Sequence, residues 1–189
     1  NDNSPLEDLV EREAEINYLN DHINRYLMKV SQECQSEDRI DEIFQMMHCV
    51  TEIEQIGDLV TTRIVPLAES KIGMNTFFSE AGKTEILDFH LRTLKQISRA
   101  IEVFKEFNLK EAKRMEKKYK KYRLMEMDLR RTHYDRLRED IPETVATSRI
   151  HLDLIDSLKR ISSHATNIAR IFMEPKKAKL QEESKASEG

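Results

Sequence analysis

The stretch "TEIEQIGDLVTT", residues 51 to 62, has a counterpart later in the chain, "DSLKRISSHATN", residues 156 to 167. Apolar and small side chains fall at the same positions in both copies. The matched pairs are Ile53 and Leu158, Ile56 and Ile161, Gly57 and Ser162, Val60 and Ala165, and Thr61 and Thr166. A pattern that recurs with this register predicts that one helical unit occurs twice.

Helical periodicity surrounds both copies. Apolar residues recur every three, four or seven positions along the chain, which is typical of amphipathic helices. Five helices are predicted, at about residues 5–30, 36–70, 83–107, 109–138 and 144–173. Pro66 should kink or shorten the second helix, and Asn108 and Thr144 should cap the fourth and fifth. The third helix is predicted to turn its large apolar residues inward, namely Leu87, Leu91, Leu94, Ile97, Ile101 and Phe104.

The composition favours an all-α protein. Glycine and proline number four each, charged residues make up 35% and tryptophan is absent. The helices should pack nearly antiparallel into one elongated bundle of about five long helices, spanning residues 1–173. A first repeat at about 5–70 would lack the leading helix that a second repeat, at about 83–173, possesses. Residues 174–189 are polar and are predicted to form a disordered tail.

Several classes of protein are disfavoured. The net charge of -4 argues against a nucleic-acid partner. Cys34 and Cys49 form no CxxC pair and are interpreted as reduced, buried thiols in a reducing compartment. No catalytic triad, Cys-His pair or glycine-rich phosphate loop occurs, so an enzyme is not expected. No run approaches the ~18 apolar residues of a membrane span, while a first residue Asn1 suggests a piece of a longer protein.

Two motifs carry a resemblance to a known family. "IEQIGDLV" and "KRISSHATNIARI" resemble the two copies of the "LERIGDHATNIAE" signature of the PhoU family, whose members are tandem three-helix-bundle repeats. "REAEINYLNDHINRYLMKVSQ", and "RRTHYDRLRED" followed by "HLDLIDSLKRISSHATNIARIF", resemble more closely the PhoU-like region at the C-terminal end of sodium/phosphate symporter-family membrane proteins. The likeness covers roughly residues 6–173.

The resemblance implies a function. It suggests a regulatory domain of a prokaryotic sodium/phosphate symporter-like protein, lying at the cytoplasmic face of the plasma membrane and acting in phosphate transport or its regulation. Its partner would be the transmembrane part of the same polypeptide. Two alternatives stay open: a stand-alone PhoU-type adaptor that binds a transporter or a kinase, and a structural bundle that forms a homodimer without a ligand.

The resemblance also implies a metal site. Some PhoU proteins bind clusters of iron or other metals on E/D-x-x-x-D motifs. Carried onto this sequence, the first motif is Glu54 and Asp58, and Glu11 or Glu15 would assist them. An iron or other divalent ion is the expected cofactor. A basic side chain on a neighbouring helix, or a solvated flank, would equally explain two carboxylates one turn apart.

The second metal motif departs from the family pattern. It would fall on Lys159 and Ser163, which cannot replace two carboxylates around a cation. The second site is therefore predicted to be absent. In the same copy, His164 and Asn167 match the signature and are interpreted as forming a helix-capping or an interhelix hydrogen bond.

Charge is unevenly distributed along the chain. Residues 1–60 carry a net charge of -11, from 15 acidic and 4 basic side chains, and residues 110–139 carry +6, from 12 basic and 6 acidic ones. Complementary solvated faces are one explanation. The other is that "KRMEKKYKKYR", residues 113 to 123, meets an anionic membrane surface, where each Lys or Arg contributes about 1 kcal/mol.

Overall fold

The computed structural model describes the backbone of residues 4–74, 76–106 and 108–187, and the side chains of residues 8–74, 76–106 and 108–173. Within these ranges the elements are α1 Ser4–Glu33, α2 Glu37–Leu59, a π-helical turn Val60–Ile64, α3 Val65–Gly73, α4 Glu80–Glu106, α5 Leu109–Arg138 and α6 Pro142–Ser187. Because α2, the π turn and α3 follow without interruption, the bundle has five long helices. The described ranges contain no strand, which confirms the predicted all-α bundle.

The junction of α2 and α3 accommodates Pro66 without ending the helix. A proline has no N–H group to donate to the carbonyl four residues back. The preceding residue shifts its register as well, since the N–H of Val65 bonds to the carbonyl of Val60, five residues back. The helix therefore passes through a π turn and continues to Gly73. Pro66 was predicted to kink or to shorten the helix, and of these two effects the shortening is wrong.

The predicted caps have different outcomes. Asn108 caps α5 as predicted, and its side chain accepts hydrogen bonds from the N–H groups of Lys110 and Glu111, both at 3.1 Å. Thr144 does not cap α6, because the helix begins two residues earlier at Pro142, a residue whose fixed φ suits a first turn. The buried Thr144 hydroxyl instead donates to Ser79 Oγ at 3.1 Å.

The last helix is longer than predicted. Its expected end lies at Met173, whereas the backbone of α6 is helical through Ser187. The sequence beyond Pro175 is rich in Lys, Ala, Glu and Gln, which have high helix propensity, and it contains no further proline. The disorder predicted for residues 174–189 in solution stays a prediction.

α4 turns a different face inward from the predicted one. Its buried face contains Phe89, Thr93, Gln96, Ala100 and Val103. Most of the predicted inward stripe is exposed instead: Leu87 52%, Leu91 53%, Leu94 45%, Ile101 50% and Phe104 40%. This face, which combines apolar and polar side chains, is inward because it forms hydrogen bonds across the core. Gln96 Nε2 donates to the Met115 carbonyl at 3.0 Å and to Thr166 Oγ1 at 2.9 Å.

The largest core cluster is shared between the two repeats. α6 packs against α2, α4 and α5, and α1 packs against α2. The cluster contains Cys49, Ala100, Val103, Ala112, Met115, Ala165, Ile168, Ala169, Phe172 and Met173. Since these side chains come from α2, α4, α5 and α6, neither repeat has a separate core at this level.

A buried polar cluster joins the three helices of the second repeat at one end. Arg136 of α5 donates two hydrogen bonds to Glu85 of α4, at 2.8 and 2.6 Å. His151 Nε2 of α6 lies 3.1 Å from the same carboxylate. The His151 ring stacks on His133 of α5, with centroids 4.6 Å apart and planes 8° apart. We call these four residues the Glu85 cluster.

The Glu85 cluster shifts the pKa of two of its members. Burial on its own would raise the pKa of Glu85, but the nearby His151 and the hydrogen bonds from Arg136 outweigh it and lower that pKa to about 2. Burial, assisted by the neighbouring His151 and Arg136, lowers the pKa of His133 to about 4. His133 is therefore neutral in the folded protein at pH values where it would be charged in the unfolded chain.

The depressed pKa of His133 predicts a pH-dependent stability. Because the unfolded chain binds a proton near pH 6.5 and the folded chain only near pH 4, this group lowers the free energy of unfolding as the pH falls between those values. The expected loss is about 2 kcal/mol between about pH 7.5 and about pH 5. Urea unfolding at both pH values measures it. His133→Gln should flatten this dependence, whereas His90→Gln at an exposed position of α4 should keep it, and equal slopes in both variants would contradict the assignment.

Candidate functional site

A largely apolar groove opens between α1 and α4. It is also lined by α2 and α6, and its volume is about 480 Å³. α2 and α6 pack against each other, α1 packs on α2, and α4 packs on α6, so that α1 and α4 form opposite walls. The apolar side chains that define the groove include Leu9, Ile16, Ile53, Ile97, Ile101 and Phe104. Its polar lining comprises Arg12, Glu13, Thr61 and Lys105.

The exposed stripe of α4 continues this groove. Ile101 and Phe104 belong to both, and Leu87, Leu91 and Leu94 extend the stripe toward the start of α4. Contiguous apolar surface on a soluble domain typically marks a site of interaction. The groove and the α4 stripe together are therefore the candidate functional site, which the sequence did not identify because it predicted the stripe to be core.

Gly57 lies in the groove at a contact between α1 and α2. A Cβ atom at this position would lie 3.3 Å from Ile16 Cδ1 and 3.9 Å from Glu13 Cγ. The glycine therefore permits the close contact of the two helices.

The two repeats differ in what covers this helix face. In the second repeat α4 covers α6, since the Ser162 hydroxyl donates to Thr93 Oγ1 at 3.1 Å and Gln96 donates to Thr166. The counterparts Gly57 and Thr61 line the open groove instead. The Thr61 hydroxyl bonds within its own helix, to the carbonyls of Gly57 and Asp58, both at 3.3 Å. The groove thus lies beside α2 at the position that corresponds to that of α4 on α6.

A polar contact joins the two repeats beside the groove. The carboxylate of Glu52 on α2 lies 2.8 Å from His164 Nδ1 and accepts from Asn167 Nδ2, which is 3.2 Å from each oxygen. Of the two roles predicted for His164 and Asn167, the interhelix hydrogen bond agrees with this geometry and helix capping does not. The sequence did not identify Glu52 as their partner. It could have been found as an acidic residue two positions before Glu54, on a helix that packs near His164 and Asn167.

The first metal motif lies on α2 without a converging ligand set. Glu54 is half-buried and accepts a hydrogen bond from Gln55 at 2.9 Å. Asp58 is half-buried, and among the described residues its carboxylate forms no hydrogen bond or ion pair. Glu11 and Glu15 are exposed and line a shallow depression formed by α1 alone.

These carboxylates do not fit a metal ion in the described conformation. Helix geometry places Glu11 and Glu15 nearly opposite Glu13, the glutamate that approaches Gly57. Across the described side chains, no group of three or more His, Cys, Asp or Glu is close enough to hold an ion. We therefore derive no step through a metal.

The second motif is occupied by structural contacts. Lys159 Nζ lies 3.1 Å from Asp156 Oδ1 and 3.7 Å from Glu126 Oε1. Arg130 bonds to the same two carboxylates, so that these residues form an ion-pair network between α5 and α6. Lysine at this position stabilises the packing of two helices, and Ser163 beside it is half-buried.

The two thiols differ in environment. Cys49 is fully buried, and burial, with a smaller effect of the Glu52 charge, raises its pKa to about 12. Its thiol is therefore protonated at neutral pH and packs as a small apolar group. Cys34 is only half-buried, so that the predicted burial is right for Cys49 and wrong for Cys34, and both cysteines are free.

Comparisons with known proteins concern most of the chain. Residues 1–63 and 86–172 match the family model "PhoU domain". "Putative inorganic phosphate export protein YjbB" of Salmonella typhimurium is 22% identical over 160 residues, which are 85% of this chain and 30% of that protein. The protein of the same name from Escherichia coli K12 is 23% identical over the same shares. The chain thus spans about 30% of the length of these curated relatives.

A solved structure shows the same fold. The crystal structure of PhoU from Pseudomonas aeruginosa superposes with a TM-score of 0.83 at 20% identity, covering 91% of this chain and 81% of that one. Among the helices of the described residues, none combines the length and apolar character needed to cross a bilayer.

The Glu52 contact predicts a stability difference between two neighbouring glutamates. Glu52→Ala should lower the free energy of unfolding by about 1–2 kcal/mol, because it removes charge-assisted hydrogen bonds that join α2 and α6. Glu54→Ala, on the same helix and equally half-buried, should change it by less than about 0.5 kcal/mol. Urea unfolding of the two variants and the wild type measures the difference. Equal losses would show that the Glu52 contact does not stabilise the bundle.

Proposed function

The chain belongs to the PhoU domain family, and from this premise we propose that it is the regulatory cytoplasmic domain of a sodium/phosphate symporter-like membrane protein. In this role it acts in phosphate transport or its regulation. The curated relatives support the proposal because their name refers to phosphate export and because most of each relative lies outside the match. The proposal assigns the chain a binding role and no enzymatic reaction.

The groove is the observation that carries the proposal. An apolar groove between helices is suited to an amphipathic helix that presents residues i, i+3, i+4 and i+7. The α4 stripe from Leu87 to Phe104 extends about 26 Å along the helix axis, which matches a partner helix of about five turns. We propose that this helix belongs to the transmembrane part of the same polypeptide.

The energetics of such docking suffice for regulation. The five exposed side chains of the α4 stripe are between 40% and 53% accessible. Completing the burial of each contributes about 1 kcal/mol. A contribution of several kcal/mol that is available in only one state of the transporter shifts its conformational equilibrium by more than a hundredfold. The domain would thus favour the transporter state in which the groove is occupied.

Phosphate flux in cells tests this function. Leu94→Glu together with Ile101→Glu places two charges in the site and should change phosphate efflux or uptake to the level of a strain that lacks the gene. Tyr18→Glu with Tyr26→Glu, at exposed positions of α1, is the matched control and should behave as wild type. Radiolabelled phosphate measures the flux, with protein abundance verified by immunoblot. Unchanged flux in the strain that lacks the gene would refute the function.

A photo-crosslinking residue at Ile101 distinguishes the partners. Crosslinks to the transmembrane part of the same polypeptide support the proposal. Crosslinks to a separate transporter or kinase would indicate the adaptor, and crosslinks to a second copy would indicate the dimerising bundle. A crosslinking residue at Tyr26 is the control, and partners captured from both positions are discounted.

The metal site stays a prediction. An iron or other divalent ion at Glu54 and Asp58, assisted by Glu11 or Glu15, requires carboxylates of α1 to approach the α2 pair. Elemental analysis of protein purified without chelator should then show bound metal that the double variant Glu54→Ala/Asp58→Ala lacks. Equal metal contents in the two proteins would exclude this site.

A further inference from the structure

The outer face of α5 carries a continuous stripe that combines basic and apolar side chains. Its members alternate at spacings of four and three residues, so that they share one helix face, and all of them are exposed. The stripe consists of Lys113, Lys117, Lys120, Leu124, Met127 and Arg131. We call it the α5 outer stripe. α5 packs against α4 and α6 through its opposite face, which contains Met115, Tyr122 and Leu129.

The positive charge of this stripe is not neutralised within the domain. Among the described residues, its four basic side chains form no ion pair. Three of the five acidic residues of α5 are paired elsewhere: Glu111 with Arg99 and Arg114, Glu116 with Arg170, and Glu126 with Arg130 and Lys159. Asp128 and Asp135 each lie four residues after a member of the stripe and offset two charges. The outward field of α5 is therefore positive.

Two apolar side chains interrupt the basic residues. Leu124 and Met127 are each 64% exposed, among the largest values for apolar side chains in the described part of the chain. A solvated face provides no reason to place them between lysines and an arginine. A helix that lies in a lipid interface provides one, because apolar side chains insert at the headgroup level while basic ones contact the phosphates.

We propose that α5 binds the surface of an anionic lipid bilayer through the α5 outer stripe. A single convex helix face about 27 Å long, from Lys113 to Arg131, suits a flat surface better than it suits a protein pocket. Residues 1–60 carry a net charge of -11 and would be repelled by the same lipids. The charge distribution therefore selects one orientation, with α5 against the membrane. This proposal does not depend on phosphate transport.

Vesicle binding tests the electrostatic part. Wild-type protein should co-sediment with vesicles of phosphatidylglycerol and phosphatidylcholine at low salt, bind pure phosphatidylcholine vesicles poorly, and dissociate as salt screens the surface. Replacing Lys113, Lys117 and Lys120 by Glu should weaken the binding about a hundredfold. The failure of wild-type protein to bind phosphatidylglycerol vesicles at low salt would overturn the proposal and leave an acidic protein as the ligand of this stripe.

A matched variant separates the stripe from overall charge. Replacing Lys29, Lys83 and Lys95 by Glu changes the net charge equally, at exposed positions of α1 and α4 without ion pairs. This variant should keep most of the binding. An equal loss in both triple variants would show that net charge alone governs adsorption, which would overturn the assignment to α5.

A fluorescent reporter tests the apolar part. The chain contains no tryptophan, so Leu124→Trp introduces a single one into the stripe. Its emission should shift to the blue when anionic vesicles are added, because the indole enters the interface. Tyr26→Trp on α1, at a position 66% exposed, is the control and should not shift. Unshifted emission from Leu124→Trp on protein that has bound vesicles would also overturn the placement of α5.

Discussion

Close packing around α6 is the constraint on which the rest of the structure depends. α6 contacts α2, α4 and α5, and it carries small side chains where they meet. Ser162, Ala165, Thr166 and Ala169 are completely inaccessible to solvent. Small residues allow three helices to approach one, and two of them also supply hydroxyl groups that bond across to α4. The orientation of α4 follows from these bonds, and its large apolar stripe is consequently left outside.

The same constraint explains why the two repeats are not equivalent. Gly57 and Thr61 are the small counterparts of Ser162 and Thr166, which lie on the helix face that α4 covers in the second repeat. In the first predicted repeat this face lines a groove, where the side chains nearest to Gly57 outside its own helix are Ile16 and Glu13 of α1. The helix face that α4 covers on α6 is therefore left accessible at the corresponding position of α2.

The sequence was sufficient to predict where the helices lie along the chain, and insufficient to predict which face of each helix is buried. Periodicity and the Asn108 cap predicted the bounds of α5, because both are local properties. The prediction of the buried face of α4 was wrong, because the size and hydropathy of Leu91 and Leu94 favour their burial. The long-range hydrogen bonds of Gln96 instead determine which face is buried. Glu52 was missed for the same reason, since its partners lie on α6. Glu54 and Asp58 share a helix face as predicted, but a metal site also depends on where α1 directs its carboxylates.

The positions of the two candidate surfaces are related through α4. One face of α4 lines the groove, and another packs on α5, whose outer stripe is the proposed lipid contact. A domain with α5 on a bilayer would hold the groove one helix away from the lipid. A helix that leaves the membrane could reach that distance within a few turns, at about 5.4 Å per turn. The electrostatic contact of α5 would orient the domain on the membrane, and the apolar groove would then bind the helix. The first surface would supply orientation and the second would supply recognition of the helix.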